Sequence, residues 1–154
     1  MKLVVSDDGV NFRTITQLDV PGHPNESTLR FLKNGQCIAL VRREAADKMA
    51  WIGESSPPYR DWKWKSAGLQ IGGPNFLVRD DGSMIASGRQ YEPVAKTFVG
   101  PMTLRSVQPE LILPSGGDCS YPGLVWHKGL LWESYYSTHE GQTCIYLAKI
   151  KFPK

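Results

Sequence analysis

Three stretches decide the fold: Leu29 to Glu44 (LRFLKNGQCIALVRRE), Phe76 to Tyr91 (FLVRDDGSMIASGRQY) and Gly123 to Ser137 (GLVWHKGLLWESYYS). Each places a polar turn, Asn34-Gly35, Asp81-Gly82 or Lys128-Gly129, between two segments rich in branched or aromatic residues, the pattern of a β-hairpin. The turn glycines recur at 47-residue intervals, from Gly35 to Gly82 and from Gly82 to Gly129. No 3.6-residue apolar period accompanies the repeat, which argues against helical repeats. A unit of roughly 40 to 50 residues built from antiparallel strands is the size of one β-propeller blade. The expected fold class is therefore all-β, with about three propeller blades in the chain.

Further strands fall at matching places. Met49 to Gly53 and Trp62 to Trp64 follow the first hairpin, Ala95 to Val99 and Glu110 to Leu113 follow the second, and Cys144 to Ile150 alone follows the third. Lys2 to Val5 and Phe12 to Thr16 read as the outer strands of a preceding blade. The expected division is a pair of outer strands in 1–24, blades at 25–71 and 72–118, and a partial blade at 119–154. A six-bladed ring of such units needs roughly 280 residues, and 154 residues supply about half of one. Half a ring leaves strand edges and apolar terminal faces in water, so a homodimer that completes the propeller is expected.

Composition narrows the classes. A content of 41% hydrophobic and 21% charged residues is that of an ordinary globular domain. The net charge of +3 is small and its basic residues are scattered, which argues against a nucleic-acid partner. No run approaches the ~18 apolar residues of a membrane-spanning helix. Cys37, Cys119 and Cys144 are odd in number, lack a CxxC pair and sit in or beside strand-like stretches. Buried free thiols are expected rather than a disulfide or metal site. No cofactor is implied.

The candidate chemistry lies at the hairpin ends far from the glycines. Two-residue turns would set Ser27 opposite Arg42, Pro74 opposite Arg89 and Tyr121 opposite Tyr136, with Glu26 one residue beyond. In a propeller the first strand of each blade lines the axis, so Glu26, Arg42, Arg89, Tyr121 and Tyr136 would gather at one mouth of the channel. Singly, each reads as a rim charge or a packed tyrosine; the shared layer is what marks a site. His139 and Glu140 read as loop residues just beyond it.

The segment Ser6-Asp7-Asp8-Gly9-Val10-Asn11-Phe12 resembles, one residue short, the Asp-box turn of sialidase-like propellers, a structural motif in that family. Its Asp accepts backbone N–H groups, its Gly permits φ > 0, and Phe12 is expected to pack beneath the turn. Glu26-Ser27-Thr28-Leu29 followed by Ala39-Leu40-Val41-Arg42 is similar to the sialidase (neuraminidase) pattern in which a Glu opens one strand and an Arg closes the next. Gly73-Pro74-Asn75-Phe76 through Ser87-Gly88-Arg89 resembles the next Arg-bearing blade. Cys119-Ser120-Tyr121-Pro122-Gly123-Leu124 resembles the segment that carries the family's nucleophilic Tyr.

That resemblance implies retaining hydrolysis of terminal sialic acids, with Tyr121 as nucleophile, Glu26 taking its proton, and Arg42, Arg89 and Tyr136 binding the substrate. The planar N–H donors of Arg suit a substrate carboxylate. The family's Asp general acid and its first Arg find no match: Asp7, Asp8 and Asp19, the acidic residues before Glu26, lack the context. The chain thus resembles the C-terminal half of a sialidase. Two readings stay open, a sialidase-type hydrolase fragment and a non-catalytic propeller module that binds a sialic-acid-like or other acidic sugar.

Overall fold

The three hairpin turns adopt two geometries, and the difference sets the register of everything beyond them. In the computed structural model, which describes residues 1–152, strands β3 (Pro24–Phe31) and β4 (Cys37–Arg43) are joined through a Leu32–Gln36 backbone pair. Lys33, Asn34 and Gly35 form a three-residue loop in which Gly35 has φ +83°, the left-handed position that closes a type I turn with a G1 bulge. Strands β7 (Gly72–Val78) and β8 (Met84–Gln90) are joined in the same way through Arg79, Ser83 and Gly82. Only Lys128-Gly129, with both φ values positive, makes the two-residue turn, between β11 (Cys119–His127) and β12 (Leu130–Ser137). The expected register therefore slips by one in the first two hairpins. Ser27 faces Val41 rather than Arg42, and Arg89, displaced one residue further by a bulge between Gly72 and Asn75, faces Gly72 rather than Pro74.

The remaining strands are β1 (Lys2–Val5), β2 (Arg13–Gln17), β5 (Trp51–Ser55), β6 (Lys63–Ser66), β9 (Lys96–Met102), β10 (Leu111–Ile112) and β13 (Cys144–Ile150). They form four antiparallel sheets, β1-β2, β3-β4-β5-β6, β7-β8-β9-β10 and β11-β12-β13, with no helix among the described residues. The fold is all-β. Pro153 and Lys154, the end of the last expected unit, lie outside the described residues.

The 47-residue repeat is a step from one sheet to the next. Thr28 Oγ1 donates to the Pro74 carbonyl at 2.8 Å, Asn75 Nδ2 to the Pro122 carbonyl at 2.7 Å, and Lys33 Nζ to the Asp80 carbonyl. The first strands β3, β7 and β11 thus run side by side, and the sheets behind them stack face to face. Because side chains alternate along a strand, the middle sheets bury both faces. Ile38 and Leu40 of β4 meet Phe76, Ala86 and Phe98 of the second sheet, while Ala39 and Val41 meet Leu18 and Val20. Ile85 and Val99 face Leu131 and Tyr135. This explains why β4 is apolar without alternation from Cys37 to Val41, and why Met84, Ile85 and Ala86 of β8 are buried in succession.

Two surfaces lack such a partner. Val125, Ile145 and Leu147 are exposed on the outer face of β11-β12-β13. Phe12, expected to pack beneath the Ser6 to Asn11 turn, is 64% exposed; within that turn Asp8 Oδ1 accepts the Val10 and Asn11 N–H groups at 2.9 and 2.7 Å. The aromatic ring has no strand of its own sheet beneath it, since β1 and β2 pair only with each other. All three cysteines are free thiols; Cys37 and Cys119 are buried and Cys144 half-buried.

One ionisable group is sealed in the core. Glu133 of β12 is fully buried, its Oε1 accepting the Ser87 hydroxyl at 2.6 Å and its Oε2 without a partner. Burial pushes its carboxyl up from 4.5 to about 7. The folded state thus holds a proton that the unfolded chain releases between those values, so the contribution of Glu133 to stability is greatest below about pH 4.5 and falls as pH rises to 7. Urea titrations of wild type and Glu133→Gln should diverge across that window, the wild type losing roughly 3 kcal/mol relative to the variant. Parallel pH profiles would contradict the assignment.

Candidate functional site

At the end of each hairpin far from its turn, the first strand carries a bulge at an equivalent position. Asn25 and Glu26 together oppose Arg42, Gly73 and Pro74 oppose Gly88, and Tyr121 and Pro122 oppose Tyr135. A bulge bends the strand and re-aims its side chains, here toward the neighbouring first strands. Tyr121 sits at φ +50°, an uncommon conformation for a bulky residue. Gly73, at φ +52°, allows the close approach: a Cβ there would lie 2.6 Å from Ser120 Oγ and 3.0 Å from the Tyr121 nitrogen.

These bulges converge on one carboxylate. Glu26 Oε2 accepts from Arg42 Nη1 and from the Gly73 N–H, both at 2.8 Å, while Oε1 accepts the Tyr121 hydroxyl. Arg42 Nη2 pairs with Glu44 Oε1 at 2.5 Å, and Asn25 Nδ2 donates to the same oxygen. Beside them opens a cleft of about 370 Å³ lined by Glu26, Thr28, Gly73, Asn75, Tyr121 and Pro122.

Arg89 joins through the tyrosines. Its Nη1 meets Asp118 Oδ1 at 2.8 Å, and that same oxygen accepts the Tyr136 hydroxyl at 2.6 Å. The Tyr136 ring stacks on Tyr121 with centroids 6.0 Å apart. Tyr136 pairs with Ser120 rather than with Tyr121, because the bulge takes Tyr121 out of the ladder. All five expected residues thus lie in one connected cluster, although the pairing expected at this layer fails in all three hairpins, by one residue at Ser27 and Tyr121 and by two at Pro74. Glu26 and Tyr121 moved together, both being bulge residues. His139 and Glu140 stand apart, bonded to Ser137 and Tyr146.

Three participants escaped the sequence reading: Glu44, Tyr91 and Asp118. Glu44 and Tyr91 each lie two residues beyond a site arginine, hence on the same face of an extended strand, a signal that was legible. Asp118 follows Gly116-Gly117 before its strand begins and carried no such mark. With these included, Glu26, Glu44 and Asp118 face Arg42 and Arg89, one more carboxylate than guanidinium.

The electrostatics follow from the contacts. Burial alone would raise the Glu26 pKa, but hydrogen bonds from Tyr121, Arg42 and the Gly73 N–H outweigh it and hold the carboxyl below its usual range. The Glu26 carboxylate in turn raises the Tyr121 phenol, against the lowering effect of Arg42 and Arg89. Burial and Asp118 push Tyr136 to about 12. The resting pair is an ionised Glu26 and a neutral Tyr121 phenol, a proton acceptor beside a weak nucleophile.

No protein-family model matches the chain, and no curated protein matches it. Among solved structures, a protein of unknown function from Dyadobacter fermentans superposes with a TM-score of 0.86 at 19% identity over 99% of this chain and 45% of that one. An endo-1,4-beta-xylanase from Bacteroides thetaiotaomicron matches with TM-score 0.69 and 14% identity, over 97% of this chain and 60% of that one. An exo-beta-1,3-galactanase from Phanerochaete chrysosporium matches with TM-score 0.67 and 13% identity, over 94% and 39%. At these identities the likeness is one of fold: the chain shares an all-β fold with glycoside hydrolases. It spans about half the length of the solved structures it matches.

With ¹³C-labelled tyrosine, the ring resonance that vanishes in Tyr121→Phe should titrate above the ordinary phenol value of 10.0, as should that of Tyr136. In Glu26→Gln the Tyr121 resonance should titrate at lower pH, because the charge holding the proton is gone. An unmoved resonance would separate the two side chains in solution.

Proposed function

We propose that the four sheets are successive blades of a β-propeller and that the rim cleft is a sialidase-like glycosidase site. The observation that carries the reading is the phenol–carboxylate contact between Tyr121 and Glu26, made across 95 residues of sequence by two bulges. Tyr121 Oη attacks the anomeric carbon as Glu26 takes its proton and the bond to the leaving oxygen breaks, that oxygen departing as an anion that is protonated from solvent. Water then displaces Tyr121 from the sugar and gives up its proton to solvent, with net retention, and Glu26 returns the phenolic proton to the Tyr121 oxygen. A neutral phenol suits a sugar with a carboxylate at the reacting carbon, where a carboxylate nucleophile would be repelled. Arg42, Arg89 and Tyr136 supply the donors for that substrate carboxylate. The likeness to a xylanase and a galactanase supports the glycosidase fold, while the sialic-acid assignment rests on the order Glu26, Arg42, Arg89, Tyr121.

An aryl leaving group departs without much protonation, so an aryl α-sialoside tests the nucleophile without needing the unmatched Asp acid. The chain should release the phenol from it, and should release little from an alkyl sialoside, an aryl β-xyloside or an aryl β-galactoside. Tyr121→Phe should lower the rate at least about a hundredfold with little change in melting temperature. Unchanged turnover would assign Tyr121 to packing.

We also propose that a second copy of the chain covers the apolar outer face of β11-β12-β13. Exposed Val125, Ile145 and Leu147, the free edge of β13, and exposed Val10 and Phe12 on the separate β1-β2 sheet support this assembly. Light scattering at micromolar concentration should report a dimer; a monomer would remove the assembly.

A further inference from the structure

The two arginines of the site are not free. Arg42 is held by Glu26 and Glu44, and Arg89 by Asp118. The Glu26 contact is three-way, shared with a backbone N–H and with Tyr121, and Glu26 is largely covered. Asp118 differs. Its side chain is 67% exposed, and the contacts that tie it to the site run through a single oxygen, Oδ1, which accepts from both Arg89 Nη1 and the Tyr136 hydroxyl. Those are two donors that the proposed function gives to the substrate.

We infer that Asp118 is an internal occupant of the anion seat formed by Arg89 and Tyr136, and that a sugar carboxylate binds by displacing it. The inference rests on the proposed acidic-sugar reading of the site and adds a residue that sets its affinity and selectivity.

The competition can be weighed from the contacts. Asp118 uses one oxygen on one guanidinium nitrogen, whereas Arg89 Nη2 makes only a 3.4 Å contact to the Tyr91 hydroxyl. An incoming carboxylate can span both terminal nitrogens, and a bidentate pair is the stronger arrangement. Exposure makes release of Asp118 inexpensive, because its carboxylate returns to water rather than to a buried site. Meanwhile Asp118 screens Arg89 when no ligand is present and excludes weakly held anions. Neutral sugars have no group to exchange for it.

Asp118→Asn tests this, since the amide keeps the shape and an acceptor for Tyr136 but no longer offers a charge to Arg89. Calorimetric titration would use N-acetylneuraminate and D-glucuronate as carboxylate probes and xylotriose as a neutral one. Binding of at least one carboxylate probe should tighten about tenfold or more in the variant, with xylotriose unaffected and the melting temperature nearly unchanged. Equal or weaker carboxylate binding by the variant would overturn the inference, making Asp118 a brace that positions Arg89, while carboxylate binding by the wild type would leave the acidic-sugar reading standing. Binding of neither carboxylate probe to either protein would overturn both the inference and that reading.

Discussion

The site depends on the Glu26 carboxylate, which ties three first strands to one another. It takes an N–H from Gly73 on β7, a hydroxyl from Tyr121 on β11, and a guanidinium from Arg42 on its own sheet. Charge-assisted hydrogen bonds of this kind are the stronger ones, and a partly buried carboxylate left without them would be costly. The bulges in β3, β7 and β11 break the ladder where backbone groups would otherwise pair, and the Gly73 N–H is satisfied by Glu26 in place of a strand. Structure and proposed chemistry share one requirement: an ionised carboxylate with a phenol proton resting on it.

Much of this was legible in the sequence because it depends on period and spacing. The hairpins around Gly35, Gly82 and Gly129 form where the alternation of residues put them, and β13 runs over Cys144–Ile150 as read. The register was less legible, since a glycine with φ > 0 serves a two-residue turn at Gly129 and a three-residue turn at Gly35 and Gly82 alike. Phe12 was misread for another reason: a turn motif specifies its local hydrogen bonds, whereas what lies beneath the aromatic ring is decided by strands elsewhere.

The arginines show the limits of reading residues one at a time. Arg42 and Arg89 drew attention as hydrogen-bond donors suited to a carboxylate, yet each is paired with an acidic residue of its own chain, and the cluster holds more carboxylates than guanidinium groups. A carboxylate ligand must therefore exchange with a protein carboxylate rather than enter an empty positive pocket. On the proposed reading, selectivity would lie in the exposed Asp118 more than in the covered Glu26.

The central claim is that Tyr121 is a nucleophile, and a trapped intermediate tests it most directly. A sialosyl fluoride carrying a second fluorine beside the anomeric carbon brings its own leaving group, so it needs no protein acid, and the added fluorine slows release of the sugar once transferred. After incubation with the folded protein, peptide mass spectrometry should find one fluorosialosyl unit on the peptide that contains Tyr121. A label on Glu26 or another carboxylate, or no label from a protein that binds sialic acid, would contradict the account.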